Sequence, residues 1–346
     1  MAVKVGIIRD ERYFEHKPGH IHPEHPGRLK AVYRMLDRDF QKGLIKIEPE
    51  AASLELIELV HTPAYIKKVL KTAEHNYTSL APDTPVSSKS YLAAWLAVGG
   101  CLKGLDALVS GQCDFCFSLV RPPGHHALPE RAGGFCIFNN MGITTKYAKR
   151  HYGLQHILVI DWDVHHGNGL NDLFYEDKDV LYFSSHDPLL YPYSGDWSMT
   201  GSGAGEGYTI NIPLPREFTD KEIFYLYKEI LGFVFKRYRP ELILVDAGFD
   251  AHKDDPLGRS LLTEQAFGWL TRLILRLRSE LDHPPVLFAL EGGYNPGALA
   301  RSVKEVLMVL TGRNEKEILP AGMTPLVEKI LKKARHIHAR YKVWAE

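Results

Sequence analysis

The sequence predicts an α/β fold, a single domain (residues 1–346) built on a parallel sheet flanked by helices. Three observations carry this. Short β-branched runs alternate with longer stretches of helical apolar spacing from one end to the other. Most of the short runs are apolar on both faces, as strands are when helices cover both sides of a parallel sheet. No internal repeat or low-complexity linker interrupts the 346 residues, and 45% of them are hydrophobic, ample for one large core.

In chain order, the opening MAVKVGIIRD turns charged after eight residues, so residues 3–8 read as a first strand rather than a signal peptide. Residues 87–110 carry Leu92, Leu96, Leu105 and Leu108 at helical spacing, with the small Gly100 and Gly104 between them. Residues 115–120, 157–161 and 180–184 are candidate strands. The loop 187–207 contains GSGAGEG, but a strand-like segment (208–212) follows it. A dinucleotide fingerprint needs strand, glycines, then helix, so a surface loop is expected. Residues 221–238, 263–280 and 296–310 have helical spacing, with Thr263 and the Asn295–Pro296 pair as starts. Residues 242–246 and 286–290 complete the strands.

Composition excludes some classes. Basic and acidic side chains number 42 each, and no long basic run occurs, so direct nucleic-acid binding is not expected. No uninterrupted apolar stretch reaches the roughly 18 residues a membrane span needs. Cys113 and Cys116 form one C-x-x-C without the second pair a zinc ribbon requires, and Cys101 and Cys136 stand apart. Buried thiols in a reducing compartment, and a soluble cytoplasmic protein, are the expectation. The 17 histidines raise the prior on a metal or acid–base site.

Ligands of open parallel sheets bind beyond the carboxyl ends of the strands, and five predicted strands end in polar clusters: RPPGHHA, DWDVHHGNG, SSHD, AGFDAH and EGGYN. In Asp161-x-Asp163-x-His165, alternate residues of an extended chain face one spot. Asp163, His165 and Asp250 offer two oxygens and one nitrogen, the donor set of a mononuclear catalytic zinc with one open position. His125 and His126 are adjacent imidazoles after a proline–glycine turn, suited to paired acid–base work. Tyr294 follows two glycines that let a phenol bend into a site and donate to a developing oxyanion. Each reading has a bland competitor (strand-end caps, exposed histidines, turn packing). Only their convergence outweighs it.

RPPGHHA, GGFCIFNN, DWDVHHGNG, GFDAH–DPLG and EGGYN, in this order and with HPEHPGRLK before them, resemble the histone deacetylase family over nearly the whole chain. The asparagine of HHGNG resembles the class II branch and its bacterial relatives. The resemblance implies an arginase-like fold with an eight-stranded parallel sheet. It implies Asp163, His165 and Asp250 as zinc ligands and His125–His126 as the tandem pair, with Asp161 holding His125 and Asn168 holding His126. Tyr294 would be the oxyanion donor. Gly134 and Phe135 would line an acyl-lysine tunnel with Tyr191 opposite, and Asp83 would be a rim carboxylate for substrate amides. Arg28 would lie near an internal acetate channel. Leu257 would stand at the mouth, where polyamine-selective relatives carry an acidic residue. Structural potassium is implied near Asp161, Asp163, His165, Ser184 and Phe174.

The expected activity is zinc-dependent hydrolysis of acyl amides, most directly N-ε-acyl-lysine of a peptide or protein. His126 would serve as base and then acid, and His125 as electrostatic stabiliser. The rivals are an acetylpolyamine amidohydrolase acting on a small acetylated amine, a binuclear manganese ureohydrolase, and a non-catalytic acyl-lysine binding module. The intact Tyr294, His125 and His126 argue against the last. Acyl-chain preference and oligomeric state stay open.

Overall fold

The computed structural model describes residues 3–19, 21–313 and 322–341. Among the described residues ten strands run in chain order: β1 (Val5–Ile8), β2 (Leu44–Ile47), β3 (Tyr77–Ala81), β4 (Thr84–Ser87), β5 (Phe115–Ser118), β6 (Ile157–Asp161), β7 (Val180–His186), β8 (Thr209–Pro213), β9 (Leu242–Ala247) and β10 (Val286–Leu290). The helices are α1 (Gly27–Asp39), α2 (Leu54–Ile57), α3 (Pro63–Lys71), α4 (Ser90–Val109), α5 (Asn140–Tyr152), α6 (Asn168–Leu173), α7 (Asp220–Tyr238), α8 (Glu264–Ser279), α9 (Pro296–Leu310) and α10 (Pro325–His338).

Eight strands form one parallel sheet in the order β2-β1-β5-β10-β9-β6-β7-β8, and β3 and β4 form a separate antiparallel hairpin. The chain winds outward from β1 to β2 and from β6 to β8, and returns to fill the centre with β5, β9 and β10. The central strands β5, β6, β9 and β10 are buried at every position, as their two-faced apolarity requires. All six strands predicted for the core exist, β6 and β10 with the expected ends and the other four with one end shifted by one or two residues, and the 208–212 segment is β8. The four predicted helices are α4, α7, α8 and α9. Asn295 caps α9 by accepting from the N–H groups of Gly297 and Ala298, both at 3.0 Å. Thr263 caps α8 through Gln265 N–H. By length and composition α4 is apolar enough to cross a membrane, yet it is largely buried here, packed against β1, β5 and β10.

Register explains how the sheet presents chemistry. Ile8, Ser118, Ala289, Asp246, Asp161, Ser184 and Asn211 pair side by side across six parallel ladders. Residues paired in this way project to the same face. The apolar strands therefore end in one lateral row that is polar and fully buried from Asp246 to Ser184. The loops that follow this row carry the clusters singled out above.

Candidate active site

Asp163 and His165 follow β6, and Asp250 follows β9. One ligand atom from each lies within 4.8 Å of the others. His165 Nδ1 stands 3.0 Å from both Asp163 Oδ1 and Asp250 Oδ2. The far oxygens are pinned by backbone: Asp163 Oδ2 accepts from Gly292 N–H at 2.8 Å, and Asp250 Oδ1 from Val164 N–H at 2.9 Å. A Cβ on Gly292 would run into both carboxylates, so only glycine permits this approach. Two aimed carboxylates around one imidazole favour positive charge. Burial pushes His165 down, but Asp250 and Asp163 outweigh it and hold the ring well above its ordinary range. Burial and the Asp163 charge raise Asp250. Two oxygens and one nitrogen, oriented and partly accessible, are the donor set of a catalytic zinc site, and the residues fit that metal.

The tandem histidines lie behind this triad, ring centroids 4.0 Å apart. Their partners are unlike. His125 Nδ1–H donates to Asp161 Oδ2 at 3.1 Å, and that oxygen also accepts from the Tyr182 hydroxyl at 2.9 Å. Burial opposes a charge on His125, but Asp161 and Asp163 raise it to about 10. His126 Nδ1–H donates to Asn168 Oδ1 at 2.8 Å. Burial, then the cations His125 and His165, push His126 well down. One imidazole is thus held as a cation and its neighbour as a neutral ring whose free Nε2 is an acceptor. Asn168 stands at the first turn of α6, and Gly167 before it has room only for hydrogen against Asp161, Tyr182 and His125.

A cavity of about 310 Å³ leads from the surface to these groups, lined by Asp83, His126, Gly134, Phe135, His165, Leu190, Tyr191, Leu257 and Tyr294. Gly134 and Phe135 both adopt left-handed backbone (φ +55° and +67°). The Phe135 ring meets Tyr294 edge-on at 5.6 Å, and Tyr191 meets His126 edge-on at 4.9 Å. The Tyr294 hydroxyl hydrogen-bonds no described residue. Burial raises its pKa, against the nearby Arg28 cation, so it stays a donor.

Most sequence-predicted positions converge here, and two carry a different burden. Arg28 is not on the cavity wall. It is fully buried behind Tyr294, its guanidinium 4.8 Å from that ring and donating to the carbonyl oxygens of Glu291 and Gly293, both at 2.5 Å, and to Glu24 at 2.9 Å. Asp83 is at the rim, but Oδ2 already accepts from Gly134 N–H at 3.0 Å and Oδ1 from the Thr84 hydroxyl at 2.9 Å. Ser184 and Phe174, the remaining residues of the expected potassium shell, are buried at the end of β7 and just after α6.

Three acids went unread in the sequence. Glu291 Oε2 accepts from the N–H groups of Gly124 (2.7 Å) and His125 (3.2 Å), fixing the turn that bears the histidines. Asp246 lies beside Glu291 in the polar row. Asp255 accepts from the N–H groups of Tyr294 (2.6 Å), Asn295 (3.3 Å), Leu257 (2.9 Å) and Gly258 (3.3 Å). The clue was in place: acids inside EGGYN and DPLG, at strand ends, with glycine neighbours.

Residues 22–310 match the histone deacetylase domain. A probable deacetylase of Archaeoglobus fulgidus is 32% identical over 97% of this chain and 98% of its own length. A probable deacetylase of Methanothermobacter thermautotrophicus is 37% identical over 94% of this chain and 96% of its own. The crystal structure of the HDA15 HD domain superposes with a TM-score of 0.91 at 30% identity, covering 98% of this chain and 95% of that one. With the domain match spanning most of its length and its fold shared, the chain belongs to the histone deacetylase family and is a hydrolase of the deacetylase kind.

Proposed function

We propose that the protein hydrolyses the side-chain amide of N-ε-acyl-lysine in a peptide or protein, using one zinc ion held by Asp163, His165 and Asp250. The observation that carries this reading is the convergence of that triad, a neutral imidazole and an unpartnered phenol at the foot of one apolar cavity. Zinc, when bound, supplies Lewis-acid polarisation of the carbonyl and acidifies a water. The chain's own residues do the rest. His126, neutral and oriented by Asn168, takes the water's proton at Nε2 and passes it to the leaving amine. His125, kept cationic by Asp161, stabilises the negative charge that accumulates. Tyr294 donates its hydroxyl hydrogen to the carbonyl oxygen as that oxygen becomes an oxyanion.

Substrate choice rests on the wall. Phe135, Tyr191 and Leu257 offer an uncharged lining to a methylene chain, whereas a polyamine would leave a secondary ammonium desolvated against Leu257. A monovalent cation held mainly by backbone oxygens around Asp161, Asp163, His165, Ser184 and Phe174 belongs to the same proposal as a structural ion. The test is turnover of an acetyl-lysine peptide, acetylputrescine and acetylspermidine, with and without chelator. We expect the peptide to have the highest kcat/KM, with activity lost on chelation and restored by zinc. A preference for acetylspermidine would overturn the substrate assignment, and full activity in chelator would overturn the metal.

A further inference from the structure

Behind the catalytic triad lies a second set of convergent donors. One ligand atom each from His125, Cys136 and Glu291 lies within 4.8 Å of the others, and all three residues are buried. Their remaining bonds leave each with a free donor. His125 commits Nδ1 to Asp161, which leaves Nε2. Glu291 commits Oε2 to two backbone N–H groups, while Oε1 is buried with no hydrogen-bond partner. The Cys136 thiol donates weakly to Gly134 O at 3.3 Å, and its sulfur faces the His126 backbone N–H. An orphaned carboxylate oxygen in a dry interior is costly unless something positive meets it. Burial and the neighbouring Glu291 push the Asp246 carboxyl well above the usual range, so the two acids share a proton, which an arriving cation would displace.

We propose that His125, Cys136 and Glu291 form a second metal site, which takes a thiophilic divalent cation such as cadmium or excess zinc and silences the enzyme when it fills. One sulfur, one nitrogen and one oxygen are a zinc-type donor set, softer than the two oxygens and one nitrogen of the triad. The two sites therefore rank metals differently. The second site is the weaker for zinc, because both His125 and the thiol must first give up a proton. It fills second, from the same cavity: His126 lines that cavity and His125 lies directly behind it. Filling commits His125 Nε2 to the metal and so takes out of the reaction the imidazole that steadies the developing negative charge.

This inference rests on the zinc reading of the triad, and sulfur separates the two. Asp163, His165 and Asp250 cannot give a thiolate-to-metal charge-transfer band, so such a band reports a thiol, and the Cys136 variants separate Cys136 from Cys101, Cys113 and Cys116. Protein carrying one equivalent of zinc is titrated with cadmium while the ultraviolet band, bound metal and turnover are followed together. We expect cadmium to bind as a second equivalent, the band to rise with it, and turnover to fall in parallel. Cys136→Ser and Cys136→Ala should retain the first equivalent of zinc and lose the band. Cadmium inhibition should weaken at least about tenfold, since even an outer-shell partner is worth that much in metal affinity. The proposal is overturned if no sulfur band forms, if the band survives in both Cys136 variants, or if cadmium merely displaces the first zinc. Failure to bind the first zinc at all would instead overturn the triad reading.

Discussion

Tyr294 is aimed before any substrate arrives. Its backbone N–H is held by Asp255, its ring is backed by the Arg28 guanidinium, and its hydroxyl faces the cavity. Tyr294→Phe should therefore leave zinc content and inhibitor affinity unchanged and lower kcat about 100- to 1000-fold, the usual cost of one oxyanion donor. Steady-state kinetics beside metal analysis checks this; unchanged turnover would reduce the phenol to packing. Asp250→Ala removes one of three ligands and strips the Val164 N–H of its acceptor, so metal and activity should be lost at a stability cost of about 1–3 kcal/mol, with circular dichroism still native. Leu257→Glu should move the ratio of kcat/KM for acetylspermidine over acetyl-lysine peptide upward by about tenfold or more, as one buried ion pair of roughly 1.4 kcal/mol implies. An unmoved ratio removes Leu257 as the selective residue. These residues were legible because chemistry in D-x-D-x-H, HH and GGY is local: neighbours in sequence remain neighbours at a strand end. Arg28 was placed by resemblance alone, and its contacts were not legible, for the opposite reason. Its acceptors stand 263 and 265 positions away, and only the assembled sheet brings them together.

The loop after β9 and the loop after β10 are joined through one carboxylate. Asp255 takes two N–H groups from each, so the mouth residue Leu257 and the donor Tyr294 share a single anchor. Asn at 255 keeps the shape but turns an amide NH₂ toward N–H groups that had an acceptor. Asp255→Asn should cost about 1–3 kcal/mol for the unsatisfied donors and lower kcat, with bound zinc retained. Denaturant titration and metal analysis on the same sample test it; a variant of wild-type stability would contradict the anchor. Among the elements, the central strands were readable because two buried faces leave an unmistakable apolar run. The edge strand β2 (Leu44–Ile47) was not. Four residues of which Ile47 alone is buried, with an exposed lysine among them, carry no such pattern, and pairing with β1 alone makes them a strand. The hairpin β3–β4 escaped for the same reason.

The whole molecule is tied together beneath the site by one buried ionic knot. Glu24 accepts from Arg28 (2.9 Å) and from Arg121 (2.5 and 2.7 Å) and meets His16 at 3.2 Å, with every side chain at most 1% exposed. The N-terminal segment is thereby fastened to α1 and to the loop after β5. Burial alone would raise the Glu24 carboxyl, but Arg121 and His16 hold it well below the ordinary range of a glutamate. A depressed carboxyl stabilises the fold fully above its unfolded pKa and loses that contribution as pH falls toward the folded one. Glu24→Gln leaves two buried guanidinium groups uncompensated and should cost about 3–5 kcal/mol at pH 7. The gap from wild type should narrow below about pH 4.5, as wild-type Glu24 itself begins to protonate on unfolding. Urea unfolding at pH 7 and pH 3.5 measures both gaps, and a gap that widens with acid would refute the linkage.

The Asp83 carboxylate has a consequence for anyone who mutates the rim. It holds Gly134 N–H, and Thr84 beside it holds Phe135 N–H at 3.2 Å, at two residues whose left-handed backbone needs outside support. The hairpin tip is therefore a brace, and the aromatic wall leans on it. Removing Asp83 would loosen the grip on a substrate's side chain even for a ligand too short to touch the rim. A comparison of short and long acylated ligands across Asp83 variants would thus show equal losses for both, and the deficit would be one of posture in the wall rather than of a missing handhold at the entrance.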